Sequence, residues 1–152
     1  MTTRAIRSSL CLLLVATSLS GCDQVGVEPI SLARTWVASH VDGVPMPATF
    51  PATVGKIVYE ADTLRLESGG QFVHSFITGL ADPSTGEVIR SYHHRVGAFQ
   101  IRGSRLTLHY ECVTTPEGEK QCTSDQQGVF MALDHLILYK EHPVDYRAVV
   151  QE

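Results

Sequence analysis

The sequence lacks the features that mark several large functional classes. Its 12 Lys and Arg stand against 16 Asp and Glu, whereas nucleic-acid binding depends on an excess of basic residues in patches. It contains no Gly-x-Ser-x-Gly elbow, no His-Glu-x-x-His pair and no phosphate-binding glycine loop. Its carboxylates form no recognisable acid–base motif. We therefore expect no nucleic-acid partner, no cofactor and no enzymatic activity.

Apolar runs long enough to span a bilayer are also missing. The longest run, Leu10 to Ala16, is shorter than the about 20 residues that a membrane-spanning helix needs. Its length is that of the apolar region of a signal peptide, and Arg4 and Arg7 precede it as the basic region does in such peptides. The sequence therefore predicts a secretion signal over residues 1–21.

The segment Leu19-Ser20-Gly21-Cys22 resembles the bacterial lipobox. In that family a diacylglyceryl group is attached to the cysteine thiol, and cleavage occurs just before the cysteine. The resemblance implies that Cys22 becomes the acylated first residue of a lipoprotein, with palmitate-like chains as its contact with the membrane. Two acyl chains anchor a protein stably, whereas one binds only marginally. The alternatives are a plain signal peptide and a short buried helix with a chance cysteine.

Residues 23–31 form the tether between the lipid and the domain. Nine extended residues reach at most about 30 Å, so the domain is expected close to the extracytoplasmic face of a cell-envelope membrane. Asp23 resembles the inner-membrane retention signal of enteric bacteria. Because that sorting rule differs between bacterial groups, the inner and the outer membrane both stay open. Loss of residues 1–21 removes two arginines, which changes the net charge from −4 to −6. We therefore expect no polybasic attraction of the mature chain to anionic lipid.

Two cysteines are left for the folded part of the mature chain. Cys11 leaves with the signal and Cys22 carries lipid, whereas Cys112 and Cys122 would enter an oxidising compartment. The residues between them include the turn signal Pro-Glu-Gly-Glu. The oxidising compartment and the cysteine count predict a disulfide that clamps a hairpin, worth about 2–3 kcal/mol by loop entropy. Two free thiols or half of a metal site are the alternatives, although zinc favours four ligands at tighter spacing.

Short runs with β-like composition and intervening turn signals fill the mature chain. Thr63–Glu67 alternates, with Leu64 and Leu66 on one face, and no window keeps a 3.6-residue period. The runs are 33–40, 54–60, 63–67, 71–78, 88–95, 98–102, 105–112, 129–133 and 136–139.

Gly97 lies between two of these runs and is predicted to form a bulge or a bend. The segment after Pro143 is either one helical turn or a last strand. We predict an all-β fold, a single antiparallel up-and-down barrel of about 8–10 short strands, because closure removes exposed strand edges. The domain boundaries are 32–142 for the barrel and 143–152 for a C-terminal tail.

Three segments resemble small bacterial lipocalin-like lipoprotein domains. They are the opening strand with its Gly and Pro-x-Pro, Thr35 to Pro47, and two later hairpins at 62–72 and 97–108. Lipocalins carry Gly-x-Trp on the first strand, and here Arg34 stands directly before Thr35-Trp36. The resemblance implies a barrel whose closed end is plugged by Trp36. Many members of the family have no assigned role.

A barrel of this size holds one small ligand or is filled by its own side chains. The first interpretation is a binding module for a small apolar molecule, lined by Phe72, Phe76, Phe99, Leu106, Leu108 and Tyr110. The second is a filled barrel that contacts an envelope protein, including inhibitor-type roles, through 81–87 and 112–122. The large inward residues favour a filled core, although a register error of one residue would reverse the faces.

A third interpretation is the domain type of heat-shock lipoproteins, which opens with a similar Trp strand but has a Cys-Asn core motif that this chain lacks. Seven histidines raise the question of a metal site. The tandem pair His93-His94 lies in a predicted strand, so its two rings are expected on opposite faces. We therefore predict no metal site.

Overall fold

The computed structural model describes residues 32–149. The predicted signal, Cys22 and the tether lie outside these residues. The elements of the described part are strands β1 (Thr35–Val41), β2 (Val44–Pro45), β3 (Ala48–Pro51), β4 (Lys56–Leu66), β5 (Gln71–Ala81), β6 (Val88–Arg102), β7 (Arg105–Tyr110), β8 (Val113–Thr114), β9 (Lys120–Gln121), β10 (Gln126–Ala132), β11 (His135–Tyr139) and β12 (Val144–Ala148).

Eight of these strands form a closed antiparallel barrel. Each strand of the series β1, β4, β5, β6, β7, β10, β11 and β12 pairs with the next, and β12 pairs with β1 to complete the circle. Chain neighbours are therefore also neighbours in the barrel, which is the up-and-down topology. The predicted fold class is confirmed.

The two ends of the barrel differ in the connections they carry. At the end that we call closed lie the tight turns 67–70, 103–104 and 133–134 and both termini of the described chain. At the open end lie the longer connections 42–55, 82–87, 111–125 and 140–143. The loop 82–87 is an ordered turn, because the Asp82 carboxylate accepts hydrogen bonds from the backbone N–H groups of Ser84 and Thr85.

Two strands are longer than the sequence indicated. The runs 54–60 and 63–67 form the single strand β4, whose first half pairs with β3 and whose second half pairs with β1. The runs 88–95 and 98–102 form the single strand β6. An irregularity between Tyr59 and Ala61 in β4 changes which residues point inward, so that Tyr59 and not Glu60 faces the interior.

The predicted bulge at Gly97 is wrong. The register of β6 runs through Gly97 without a shift against both β5 and β7. Glycine is needed there for space, since a Cβ atom would lie 2.0 Å from the backbone oxygen of His109 and 2.9 Å from the ring of Phe72. The residue therefore permits close packing between neighbouring strands and the core.

The hydrophobic core fills the closed half of the barrel. Trp36 is fully buried there, with its ring 5.4 Å from that of Phe130 and its Nε1–H donating to the backbone oxygen of Leu32. The guanidinium of Arg34 lies 5.9 Å from the Trp36 ring centroid. Trp36 thus closes this end, as the resemblance implies. Leucines from the inward faces of the surrounding strands complete the core: Leu64, Leu66, Leu106, Leu108, Leu136 and Leu138.

The predicted disulfide between Cys112 and Cys122 is present. It joins the base of the short β8–β9 ribbon, which stands apart from the barrel sheet at the open end. The segment after Pro143 contains β12, so the barrel extends to Ala148. That last strand is what closes the circle on β1.

Candidate functional site

A buried polar cluster lies in the barrel between the apolar core and the open end. Asp62 and His74 are only 4% and 1% exposed. Alternate residues of a strand share a face, so Asp62 points inward with Leu64 of β4, and His74 points inward with Phe72 of β5. Because Leu64 pairs with His74, the register brings the carboxylate and the imidazole together.

The Asp62 carboxylate is held by three neighbours. Its Oδ1 lies 2.8 Å from Nε2 of His74 and accepts from the Tyr146 hydroxyl at 2.7 Å, while Oδ2 accepts from Nζ of Lys140 at 2.9 Å. On the far side of the imidazole, Nδ1 lies 2.7 Å from the Tyr110 hydroxyl. Within residues 32–149 no buried side-chain nitrogen or oxygen lacks a hydrogen-bond partner. The cluster is therefore complete as it stands.

Burial and charge set the protonation of this cluster. Burial by itself raises the pKa of Asp62, but the hydrogen bond from His74 and the charge of Lys140 outweigh it and hold the pKa below its usual range. Burial lowers the pKa of His74 and outweighs the opposing effect of Asp62. At neutral pH the His74 imidazole is thus neutral, and its Nε2–H donates to the Asp62 carboxylate. Its Nδ1 lies beside the Tyr110 hydroxyl, which donates to Oε1 of Gln126 at 2.8 Å.

A cavity of about 220 Å³ lies directly above the cluster, towards the open end. Its wall is mixed, with aromatic rings, hydroxyl groups, an amide and charged groups. The lining residues are Tyr59, Asp62, Phe76, Thr78, Arg95, Tyr110, Thr123, Gln126 and Lys140. The Asp62 cluster therefore forms the floor of the cavity and also orients Lys140 and Tyr110 on its wall.

Positive charge exceeds negative charge in this cavity. Lys140 pairs with Asp62, whereas the guanidinium of Arg95 donates to the hydroxyl of Thr123. Among residues 32–149 no carboxylate lies within 4.0 Å of Arg95. His93 points to the same face of β6, and both burial and the charge of Arg95 lower the pKa of its imidazole. The cavity therefore offers one guanidinium that no acidic side chain neutralises.

An apolar surface continues from the cavity beyond the rim. A second concavity shares Tyr59 and Thr78 with the first and extends along the inner face of the projecting ends of β4, β5 and β6. We call its apolar residues, Ile57, Leu80 and Ile89, the shelf. Leu80 is 43% exposed and Ile89 67% exposed, and the two are directly paired across β5 and β6, so they form one exposed apolar surface.

The six residues predicted to line a ligand site divide into two groups. Phe76 and Tyr110 lie on the cavity wall. Phe72, Leu106 and Leu108 are buried in the core, and Phe99 is packed against it. Side chains therefore fill the closed half of the barrel, and the cavity lies in the open half.

The polar residues of the site were not predicted. A signal for two of them exists in the alternation, because Asp62 and His74 occupy the inward positions of otherwise apolar strands. Arg95 has the same parity as Phe99 on β6, but the predicted runs 88–95 and 98–102 end on either side of Gly97, so the alternation does not connect the two residues. Lys140 follows the last residue of β11, where alternation no longer applies.

The cavity wall has the composition of a binding pocket. His74 is too deeply buried to touch a molecule in the cavity. Tyr110 reaches the cavity, but burial and the charge of Asp62 raise the pKa of its hydroxyl, so it is not an anionic nucleophile at neutral pH. What the wall presents is a set of fixed donors and acceptors beside aromatic rings, which is the usual composition of a ligand pocket.

The histidines serve as individual hydrogen-bonding and stacking groups. His93 faces inward and stacks on Phe76 at 4.3 Å, whereas His94 faces outward beside the hydroxyl of Ser75. The prediction that the tandem pair points to opposite faces is confirmed. In the described part of the chain no three His, Cys, Asp or Glu side chains are placed to hold a metal ion.

Comparison with protein-family models, with curated proteins and with solved structures finds no match for this chain. A search of residues 32–149 for helices finds none with the length and apolar character that crossing a membrane requires. The site is therefore interpreted from its own chemistry.

Proposed function

We propose that this chain is a lipid-anchored, non-enzymatic protein of the bacterial cell envelope whose barrel binds a small amphipathic anion. Cys22 is its lipid-bearing residue, and the binding site is the cavity with the adjoining shelf. The sequence-based expectation of an apolar ligand is thereby narrowed to a molecule with an apolar body and one acidic group.

The unneutralised guanidinium of Arg95 carries this proposal. A partly buried charge is costly unless it is paired, and the one carboxylate in the cavity wall is already engaged by Lys140, His74 and Tyr146. An anionic group in the cavity would accept from Arg95 and supply the missing negative charge. Guanidinium groups bind carboxylates and similar planar anions through two parallel hydrogen bonds.

The shelf accounts for the rest of such a molecule. Rings or a short chain would pack against Phe76 in the cavity and then against Leu80 and Ile89 beyond the rim. Burial of those two exposed side chains is favourable, at about 25 cal/mol for each Å² of apolar surface. The cavity alone, at about 220 Å³, is smaller than typical ligand pockets, so the occupant is small or extends onto the shelf.

A protein partner at the open end is the second candidate. The loop 82–87 and the disulfide-linked ribbon both stand on this rim, and Val113 of the ribbon is 55% exposed. The filled closed half agrees with a barrel that acts as a rigid support for such loops. This candidate requires no occupant in the cavity.

Two fluorescent probes of nearly equal shape distinguish the candidates. Anilinonaphthalene sulfonate carries an anionic group on an apolar body, and phenylnaphthylamine is its uncharged counterpart. The mature chain, residues 23–152, should bind the sulfonate with one-to-one stoichiometry and with higher affinity than the neutral probe. Arg95→Gln should weaken sulfonate binding about tenfold or more, since a hydrogen bond to a charged group contributes about 1.5–3 kcal/mol, and should leave the neutral probe nearly unaffected.

Arg90→Gln is the matched control. Arg90 lies on the same strand but on the outer face, where it pairs with Glu60, so its loss should change neither probe. The amphipathic-anion proposal is wrong if the folded chain ignores the sulfonate, or if Arg95→Gln and Arg90→Gln have equal effects. Mass spectrometry of the chain purified from its own host tests the anchor, because lipidation replaces the thiol hydrogen of Cys22 with a diacylglyceryl group in a chain that begins at this residue.

A further inference from the structure

The charges of the barrel are segregated between its two ends. Residues 32–149 carry 10 basic and 13 acidic side chains. Five arginines and only two acids, Glu67 and Asp134, lie at the closed end, which leaves five basic and eleven acidic residues elsewhere. Within residues 32–149 the closed end is therefore net +3 and the remainder net −6. We call the five residues the closed-end arginines: Arg34, Arg65, Arg102, Arg105 and Arg147.

Two of these arginines face each other with no acid between them. Arg102 and Arg105 are directly paired across the β6–β7 hairpin, both exposed on its outer face. Like charges in opposed positions destabilise a sheet. In the described part of the chain neither guanidinium has a carboxylate within 4.0 Å. The hairpin tip therefore presents two adjacent cations that nothing in the barrel neutralises.

Exposed apolar side chains stand beside these cations. Met131 and Leu133 of the neighbouring β10–β11 hairpin are each 59% exposed, and Val149 at the end of the described chain is 43% exposed. Basic and apolar groups on one surface match the two layers of a membrane interface, where anionic headgroups lie above acyl chains. Together the closed-end arginines and these side chains form what we call the closed-end surface.

The tether leaves from the same end. Leu32, the first described residue, is buried beside Trp36 at the closed end, so the preceding chain joins the barrel at that end. We propose that this surface docks on anionic phospholipid headgroups and so turns the mouth of the cavity away from the membrane. This inference rests on the proposed lipid anchor for the local concentration of headgroups, but the closed-end surface is proposed to bind them without it as well. The acidic open end would be repelled by the same headgroups, which favours the same orientation.

The orientation is measured with the lipidated mature chain in vesicles. Leu133→Trp places a reporter on the closed-end surface, and Val113→Trp places one on the ribbon at the open end. Quenching by brominated phosphatidylcholine reports contact with the acyl layer. We expect strong quenching of the Leu133 reporter in vesicles that contain phosphatidylglycerol, weak quenching in phosphatidylcholine alone, and little quenching of the Val113 reporter in either.

A charge-matched pair of variants tests the arginines. Arg102→Gln with Arg105→Gln should abolish the difference between the two vesicle types. Lys56→Gln with Lys120→Gln removes two exposed positive charges from the open end and should leave the difference intact. Equal quenching of the Leu133 reporter in both vesicle types, equal effects of the two double variants, or stronger quenching of the Val113 reporter would each overturn the proposal.

Flotation of the unlipidated chain, residues 23–152, separates this inference from the anchor. At about 0.1 M salt the Debye length is about 10 Å, so charges at the far end of the barrel are screened while the docked surface is not. We expect flotation with phosphatidylglycerol vesicles, which the Arg102 and Arg105 double variant reduces at least about fivefold, since one arginine near an anionic surface is worth about that factor. Absence of flotation disproves docking even if Cys22 proves to be acylated.

Discussion

In the closed half of the barrel, Trp36, Phe130 and a set of leucines fill the interior, whereas in the open half the same inward positions hold Asp62, His74 and Arg95. The same strands supply both halves. Strand β4 contributes Leu64 and then Asp62 two residues away. The interior therefore changes from apolar to polar between one inward position of a strand and the next.

The two halves contribute differently to stability. Each large apolar side chain buried in the closed half contributes about 1.5–3 kcal/mol. The polar groups of the open half are favourable only as long as every one is paired, because an unsatisfied buried group costs about 1–3 kcal/mol. The closed half thus provides most of the stability of the fold. The open half keeps the charged cavity in its shape.

Trp36→Ala should have the largest effect on stability. Removal of a fully buried indole from the closed end costs about 3–5 kcal/mol, measured by urea denaturation, while the folded fraction keeps its affinity for the sulfonate probe. Tyr92→Ala is the control, since Tyr92 is 74% exposed on the outer face and should change stability by less than about 0.5 kcal/mol. A small loss in Trp36→Ala would mean that the closed half is not the main source of stability.

Loss of the disulfide should have the second-largest effect on stability. Cys112→Ser with Cys122→Ser opens the constraint on a segment with a sequence separation of 10 residues and should lower the free energy of unfolding by about 2–3 kcal/mol. A reductant should destabilise the parent protein by a similar amount and leave the double variant unchanged. If the reductant destabilises both equally, its effect does not come from this bond.

Tyr146→Phe should have an intermediate effect that is confined to the polar half. It removes one donor from the Asp62 carboxylate, and a hydrogen bond to a charged group contributes about 1.5–3 kcal/mol. Tyr139→Phe is matched in chemistry, but Tyr139 is half exposed, so its loss should cost less than about 0.5 kcal/mol. Equal losses in the two variants would contradict a specific role of the Tyr146 hydroxyl.

The pH dependence of stability should show the smallest effect. The pKa of His74 lies below its usual 6.5 in the folded protein, so below pH 6.5 the unfolded chain binds a proton that the folded one does not, and stability falls. The lowered pKa of Asp62 extends the loss below pH 3.8. Urea midpoints between pH 7 and pH 5 should fall less steeply in His74→Gln than in the parent; an unchanged slope would show that His74 is not the group that titrates.

The strands of the closed half could be predicted from the sequence because apolar and polar residues alternate along each of them. Thr63–Leu66 and Arg105–Tyr110 place leucines at every second position, and a single buried face explains that pattern. The disulfide followed from the number of remaining cysteines and from the expectation that they enter an oxidising compartment. These features depend on local composition alone, so one sequence is enough to reveal them.

The open half could not be predicted in the same way, since its site depends on registers between distant strands. The irregularity at Glu60 turns Tyr59 inward, and no residue type in this segment indicates such an irregularity. Arg95 becomes an inward residue only if β6 is recognised as one strand through Gly97. The segregation of charge could not be predicted for a related reason. The net charge of a sequence is a sum over all residues, and only the fold shows that its positive and negative residues lie at opposite ends.

The closure of the barrel also has a consequence for the order in which the protein is synthesised and folds. Trp36 of β1 pairs with Ala148 of β12, so the circle is completed only when a segment more than a hundred residues later has appeared. Because a chain is synthesised from its N-terminus, one edge of β1 stays unpaired while the intervening hairpins emerge. Exposed edges invite association with other chains, so this interval is when a chaperone or a protease would have its best access to the protein.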